Sequence, residues 1–301
     1  MKKRLLPLLL AVLLLTGCES VIKNDYLSVH PHVEPSAAPT EAPVEEAPPE
    51  AHNRNELRGT MLSFVRDWTE QATIQIRSYQ GDLNADLSET LQYITAEDPI
   101  GAYALDYADA ELTGNQTYGS VAVRLVFRRS AAEIDAIVTV SGAQEKIRSA
   151  LLNYDSALTL RIRSYEDADF PAEIRAFCLN NPGQISVLPE VSASVYPQEG
   201  ETRILELHFT YDATRDEMRS MQKSVATLLT SASTYMRSGA GDNERLQNLL
   251  RYLFSRMDYT MGSEPTAHPV YDLLRERQAS SLGFACVVNA ECAQAQIACE
   301  L

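Results

Sequence analysis

The chain has 301 residues, with 26 Lys and Arg against 41 Asp and Glu, a formal charge of −15 at pH 7, and 45% apolar and 7% aromatic residues. That apolar fraction excludes a wholly disordered or collagen-like chain. The acidic balance excludes nucleic acid as a partner and a polybasic membrane patch, since both need clustered Lys and Arg. At roughly 150 residues per domain, about two domains are expected once the ends are set aside.

Met1-Lys2-Lys3-Arg4 is a positive n-region, and Leu5 to Leu15 is a nearly unbroken apolar run of 11 residues. A membrane-spanning helix needs roughly 20, so the run reads as the h-region of a secretory signal. Leu15-Thr16-Gly17-Cys18 follows at once and resembles the bacterial lipobox. The resemblance implies a diacylglyceryl thioether on Cys18, cleavage before it and acylation of the new amino terminus. Two or more acyl chains are what stable anchoring takes. The expected location is therefore the extracytoplasmic face of a bacterial cell membrane, with residues 1–17 removed as signal peptide.

Residues 18–54 read as a linker. Six prolines (Pro31, Pro35, Pro39, Pro43, Pro48 and Pro49) are interleaved with Ala, Glu, Ser and Thr. No apolar periodicity survives there, which is the pattern of an extended spacer. His30, His32 and His52 fall in it or at its end and read as solvated side chains, so no metal and no cofactor is expected.

A folded body starts near Asn55. Leu57, Met61, Phe64, Val65 and Trp68 have helical spacing and predict an amphipathic helix that buries the only tryptophan. The chain then appears twice in similar form. Ile74-Gln75-Ile76-Arg77-Ser78-Tyr79 returns as Leu160-Arg161-Ile162-Arg163-Ser164-Tyr165. After each come a short helix (86–94, 171–179) and a proline turn (Asp98-Pro99, Asn181-Pro182) where helix should stop. An alternating strand follows (Val121 to Phe127, Leu205 to Tyr211) with one buried and one wet face. Last comes a capping box, Ser130-x-x-Glu133 and Thr214-x-x-Glu217, opening a helix. These anchors predict a duplicated β-α-β-β-α body over 73–152 and 159–237, with domains at 55–158 and 159–238. Arg77 and Arg163, on the polar face beside tyrosines, are candidates for anion binding or, more commonly, for edge-strand protection.

The segment 239–301 is expected to be mostly helical. Leu246, Leu249, Leu250, Leu253, Phe254 and Met257 form an apolar stripe after a cap at Asp242 or Asn243. Then come Asp258-Tyr259-Thr260, His268-Pro269-Val270-Tyr271-Asp272-Leu273-Leu274 and Ser281-Leu282-Gly283-Phe284-Ala285. This order resembles the front of the transglutaminase-like, papain-related superfamily of bacterial cell-surface proteins, in which Cys-x-Gly-Tyr-Ala opens the nucleophile helix. Ser281 stands at the nucleophile position and Gln296 where the family has a turn glycine. No histidine follows His268, so the family's downstream base and acid are missing. A serine hydroxyl is not ionised by a helix terminus and an imidazole as a thiol is, and Ser280 or Ser281 reads better as a helix N-cap. Cys286, Cys292 and Cys299 are expected in one helix. There Cys292 and Cys299 would stand about 10 Å apart, too far for a disulfide, and with Cys178 they read as small buried apolar residues, a bridge to Cys178 staying open.

The expected fold class is thus α+β: a duplicated body followed by a truncated transglutaminase-like segment that either packs on the repeats or belongs to a longer reading frame. The expected function is non-catalytic binding or scaffolding at the cell envelope, its partner an envelope protein or peptidoglycan. The alternative is a transglutaminase-like cysteine peptidase or protein cross-linking enzyme, or a fragment of one, for which Cys286 with His268 would be the only candidate pair.

Overall fold

The computed structural model describes residues 47–237, 241–256, 258–259 and 266–299. Cys18, His30 and His32 lie outside them. The chain divides into two compact units between Ala47 and Pro48, and the architecture is that of the second: α+β, with two mixed four-stranded sheets and a helical C-terminal part.

The first sheet has the order β1 (Glu50–Asn53), β2 (Gln71–Gln80), β4 (Tyr118–Phe127), β3 (Leu105–Gly114). β1 runs parallel to β2, and the other pairs are antiparallel. Between β1 and β2 lies α1 (Arg54–Arg66), opened by Asn53, whose side chain accepts from the N–H groups of Asn55 and Glu56, satisfying two donors the helix cannot satisfy itself. Its buried stripe is Leu57, Met61 and Val65. Trp68 does not belong to it: the helix ends at Arg66, Trp68 is left-handed (φ 54°), and its half-buried ring packs on Phe127 at 4.9 Å. α2 (Leu83–Ala96) is capped by Asp82. Pro99 then does more than end it. Asp98 accepts from the N–H groups of Ile100 and Gly101, and Pro99 opens the short α3 (Pro99–Ala104), since proline at the first helical position lacks only a donor that would go unpaired.

The second sheet repeats that order and those directions: β5 (Ala136–Val138), β6 (Ala157–Ile162), β8 (Arg203–Thr210), β7 (Glu190–Tyr196), with β5 parallel to β6. Ser130 and Glu133 do make a reciprocal capping box, but it opens only a 3-10 turn at Ala131–Glu133. The helix expected there, α4 (Val140–Asn153), begins later under Thr139. Its Ala143, Ile147, Ala150 and Leu151 are buried with the second sheet. α5 (Phe170–Asn180), capped by Asp169, ends just before Asn181-Pro182. The short parallel strands β1 and β5 leave β2 and β6 as interior strands, so Arg77 and Arg163 protect no edge. Arg77 is paired with Glu50 at 3.0 Å and lies over Tyr118, while the Arg163 N–H bonds to Val138.

One strand breaks the expected alternation. On β8, Leu205, Leu207 and Phe209 face the second core, yet Ile204 and Glu206 on the opposite face are also buried. Ile204 belongs to the first core. Over Glu206 sits Arg129, whose guanidinium Nη2 donates to both carboxylate oxygens (2.9 and 2.7 Å) and Nη1 to the Tyr103 carbonyl (2.7 Å). The guanidinium is also 4.3 Å from the Tyr103 ring centre and 5.3 Å from that of Tyr196.

The C-terminal part is helical. α6 (Arg215–Met236) opens on a capping box in which the Thr214 side chain accepts from the Glu217 N–H and Glu217 accepts from the Thr214 N–H. At 22 residues it runs about 33 Å. Its first turn packs Met218 on Tyr154 and Val187 of the second half. Its second half shares a core with α7 (Asp242–Arg256), α8 (Pro269–Glu276) and α9 (Ser281–Gln294) through Val225, Leu228, Leu249, Leu253, Leu273 and Val287. Asp242 is the first residue of α7. A two-residue parallel ribbon, β9 (Asp258–Tyr259) with β10 (Gln278–Ala279), joins the flanks of α8. Among the described residues, no helix is long and apolar enough to cross a membrane.

Arg129 and Glu206 have side chains only 19% and 10% exposed, and removing one partner of such a pair leaves an uncompensated charge out of water. Glu206→Ala is expected to lose about 3 kcal/mol of stability in urea unfolding. Combined with Arg129→Met, it should lose clearly less than the sum of the two single changes.

Candidate functional site

The residues singled out near the C-terminus converge where α8 and α9 begin. Ser280 caps α9, its Oγ accepting from the Gly283 N–H at 3.3 Å, and Ser281 is the first helical residue, exposed. Gly283 faces the start of α8 so closely that a Cβ there would lie 2.6 Å from the Pro269 carbonyl oxygen. Only a residue without a side chain lets the two helix starts meet. His268 precedes Pro269 and is largely covered. Its Nε2 lies 2.9 Å from Asp212 Oδ2 and its Nδ1 3.3 Å from Asp272 Oδ2. With a carboxylate at each ring nitrogen, neither is free to take a proton from a hydroxyl or thiol. The contact to Asp212, just after β8, ties the helical part to the second sheet, as does the Leu188 N–H donating to the Ala267 carbonyl at 2.7 Å.

The thiols are equally withdrawn. Cys178, Cys286 and Cys292 are buried and unpaired by disulfides. Burial pushes the Cys286 thiol up to about 11 and that of Cys178 up to about 12, because a thiolate loses its hydration there. These groups stay protonated at neutral pH, whereas a catalytic thiol is lowered toward neutrality. Cys299 is exposed and lies beyond the end of α9, not within it.

Two concavities lie on the second half, the first of them beside His268. A cleft of about 360 Å³ is lined by Arg175, Glu190, Tyr211, Asp212 and Thr266, among others. The Tyr211 hydroxyl is buried without a hydrogen-bond partner. A groove of about 220 Å³ lies between α4 and α5, lined by Ile147, Leu151, Phe170, Ile174 and Phe177, with Arg148 over the Phe177 ring at 4.9 Å. In the first half the corresponding gap is bridged, with Arg58 on α1 over the Tyr93 ring of α2 at 4.5 Å and Arg54 and Arg58 paired with Glu89. Among the described residues, no group of three or more His, Cys, Asp or Glu is arranged to hold a metal ion.

Compared with known protein families, with curated proteins and with solved structures, the chain matches none.

Sequence reading missed Asp212 and the polar centre of the helical part. Ser233 on α6 has its Oγ 2.7 Å from Glu291 Oε2 and 2.8 Å from Gln294 Oε1 on α9. Glu291 is only 2% exposed, and burial raises its pKa against smaller opposing effects of Ser233 and Arg237. One hydroxyl hydrogen serves one of two acceptors. The Ser233 hydroxyl therefore donates to Glu291 or to Gln294 at any one time, while burial raises the Glu291 pKa. No apolar periodicity announces such a group, because it occupies a core position in a sequence of otherwise ordinary helix formers.

A carboxyl whose folded pKa lies above its unfolded value stabilises the fold fully below the unfolded value, and that contribution is lost as pH rises through the folded value. Glu291→Gln removes the ionisation and keeps the shape. Thermal unfolding should show the variant gaining on the wild type as pH climbs from acid to mildly alkaline, and parallel pH profiles would contradict the assignment. Gly283→Ala should cost about 1–3 kcal/mol through the clash with Pro269, measured by the same method.

Proposed function

We propose that the chain is a lipoprotein held by acyl chains on Cys18 at the outer face of a bacterial membrane, joined to its body by the proline-rich linker, which ends before β1 at Glu50 and not at residue 54 as its composition suggests. The body is a duplicated α+β unit followed by a transglutaminase-like segment without catalytic function. It binds or scaffolds an envelope protein or peptidoglycan.

Duplication is supported by more than strand order. Ser78 and Ser164, equivalent in the repeated hexapeptide, are both left-handed (φ 46° and 53°). Each turns its strand so that the following tyrosine N–H reaches the hairpin of the same sheet: Tyr79 to Gln116 and Tyr165 to Glu201, both at 2.8 Å. A non-glycine residue at positive φ is uncommon, and two at matching positions with matching bonds argue for common descent. With β1 and β5 included, both units share the order β-α-β-α-β-β, α3 being an addition of the first, and the boundary between them falls near Ser130.

The non-catalytic reading rests on one observation above the others: the residue at the nucleophile position, Ser281, stands exposed at the start of α9 while His268 is engaged by Asp212 and Asp272. In favour of descent from an enzyme of that superfamily is the abutment of Gly283 on Pro269, which supplies a physical need for the glycine of the Gly-Phe-Ala sequence.

Two measurements test this. Cys18→Ala should move the protein from the membrane to the soluble fraction, and unchanged membrane retention would refute the anchor. A thiol-reactive probe applied to the native protein at neutral pH should label Cys178, Cys286 and Cys292 slowly. Rapid labelling of Cys286, or turnover of an acyl donor lost on changing Cys286 or Ser281, would overturn the non-catalytic reading.

A further inference from the structure

Helical spacing separates Cys292 from Cys299, but no helix runs through both. α9 ends at Gln294 in a Schellman motif: Gln296 is left-handed (φ 61°), the Ile297 N–H bonds to the Cys292 carbonyl at 2.8 Å, and the Gln296 N–H to that of Ala293 at 3.2 Å. Ile297 packs on the core the helices share. The chain is thereby turned back to the level of Cys292 at Ile297, two residues before Cys299, and the Cys299 thiol comes close enough to that of Cys292 to act on it. Cys292 is fully buried and Cys299 exposed. One thiol of the pair is thus open to reagents and the other is held against it.

We propose that Cys292 and Cys299 are a redox pair that closes to a disulfide across the end of α9 by exchange with an external disulfide. The Cys299 thiolate attacks one sulfur of that disulfide, forming a mixed disulfide and releasing the first thiol. Cys292 gives up its proton to solvent and attacks the Cys299 sulfur, breaking the mixed disulfide and releasing the second thiol, which takes up a proton. Two protein thiols are oxidised and one external disulfide is reduced to two thiols, so electrons and protons balance. Cys292 is buried, which raises its pKa, and Cys299 is exposed, so the first attack falls to Cys299 and a mixed disulfide there precedes closure. The inference stands apart from the lipoprotein reading and does not need it.

The test uses the full-length protein and oxidised glutathione at mildly alkaline pH, with an acid quench, alkylation of remaining thiols under unfolding conditions and cleavage after glutamate. Cutting after Glu291 isolates the peptide Cys292–Glu300 from Cys286. The expected product is that peptide unalkylated and lighter by two hydrogens, converted by dithiothreitol to a form that takes two alkyl groups. In Cys299→Ala the peptide should instead keep one alkylatable thiol at Cys292. Two alkyl groups on the oxidised wild-type peptide, a glutathione adduct on Cys299 that never closes, or a cross-link from either cysteine to Cys178 or Cys286 would each overturn the proposal.

Discussion

The guanidinium of Arg129, bonded to both oxygens of Glu206 and flanked by the rings of Tyr103 and Tyr196, lies where the first sheet hands over to the second. Around it α3 covers the outer face of β8, and Ile204 enters the first core. A charge so far from water is tolerated only if its donors are used. Arg129 uses them on a carboxylate and a carbonyl whose directions fix the mutual orientation of α3 and β8. The apolar cores of the two halves would hold each half together without this contact. The pair decides which face of β8 the first half covers, and so the position of everything strung after β8, including α6 and the helices that pack on it.

The same contact explains what could be read from sequence and what could not. Apolar periodicity located α1 and the strands β4 and β8, because each faces its own sheet or its own core, while α2 and α5 were placed by their position between the repeated hexapeptide and a proline turn. It failed on β8 at Ile204 and Glu206, where the opposite face is covered by a segment about a hundred residues earlier. It failed on β1 and β5 because three or four residues carry too little alternation to register, although their parallel pairing decides that β2 and β6 are not edges. Trp68 was drawn into α1 by spacing alone, and its left-handed backbone follows from how the chain leaves the helix. The repeated hexapeptide was visible, but its reason, a left-handed serine that aims the next N–H at a hairpin, belongs to the backbone.

In the C-terminal helices the local chemistry was legible and the partners were not. Ser280 as a cap follows from the residue type and its place before an apolar run. The two carboxylates on His268 come from different elements, Asp212 across a long stretch of chain and Asp272 one turn ahead, and only folding brings them to one ring. Glu291 and Ser233 meet in the same way from α9 and α6. These polar groups in a predominantly apolar core set register: Ser233 can face both Glu291 and Gln294 only when α6 and α9 sit at one mutual height, a constraint apolar contacts alone supply weakly.

The end of α9 carries a cost that its sequence does not remove. A left-handed residue with a side chain is disfavoured by about 1–2 kcal/mol relative to the right-handed form, and Gln296 occupies a place where glycine would avoid most of that. Offsetting it are the two Schellman hydrogen bonds and the burial of Ile297, all within five residues of Cys292. If the thiols of Cys292 and Cys299 join, the bond spans this same turn and opposes fraying at the point where the backbone is least favourable. The closed form should therefore protect the amides of Gln296 and Ile297 from exchange more than those at the start of the helix, since the added constraint acts on the turn it encloses.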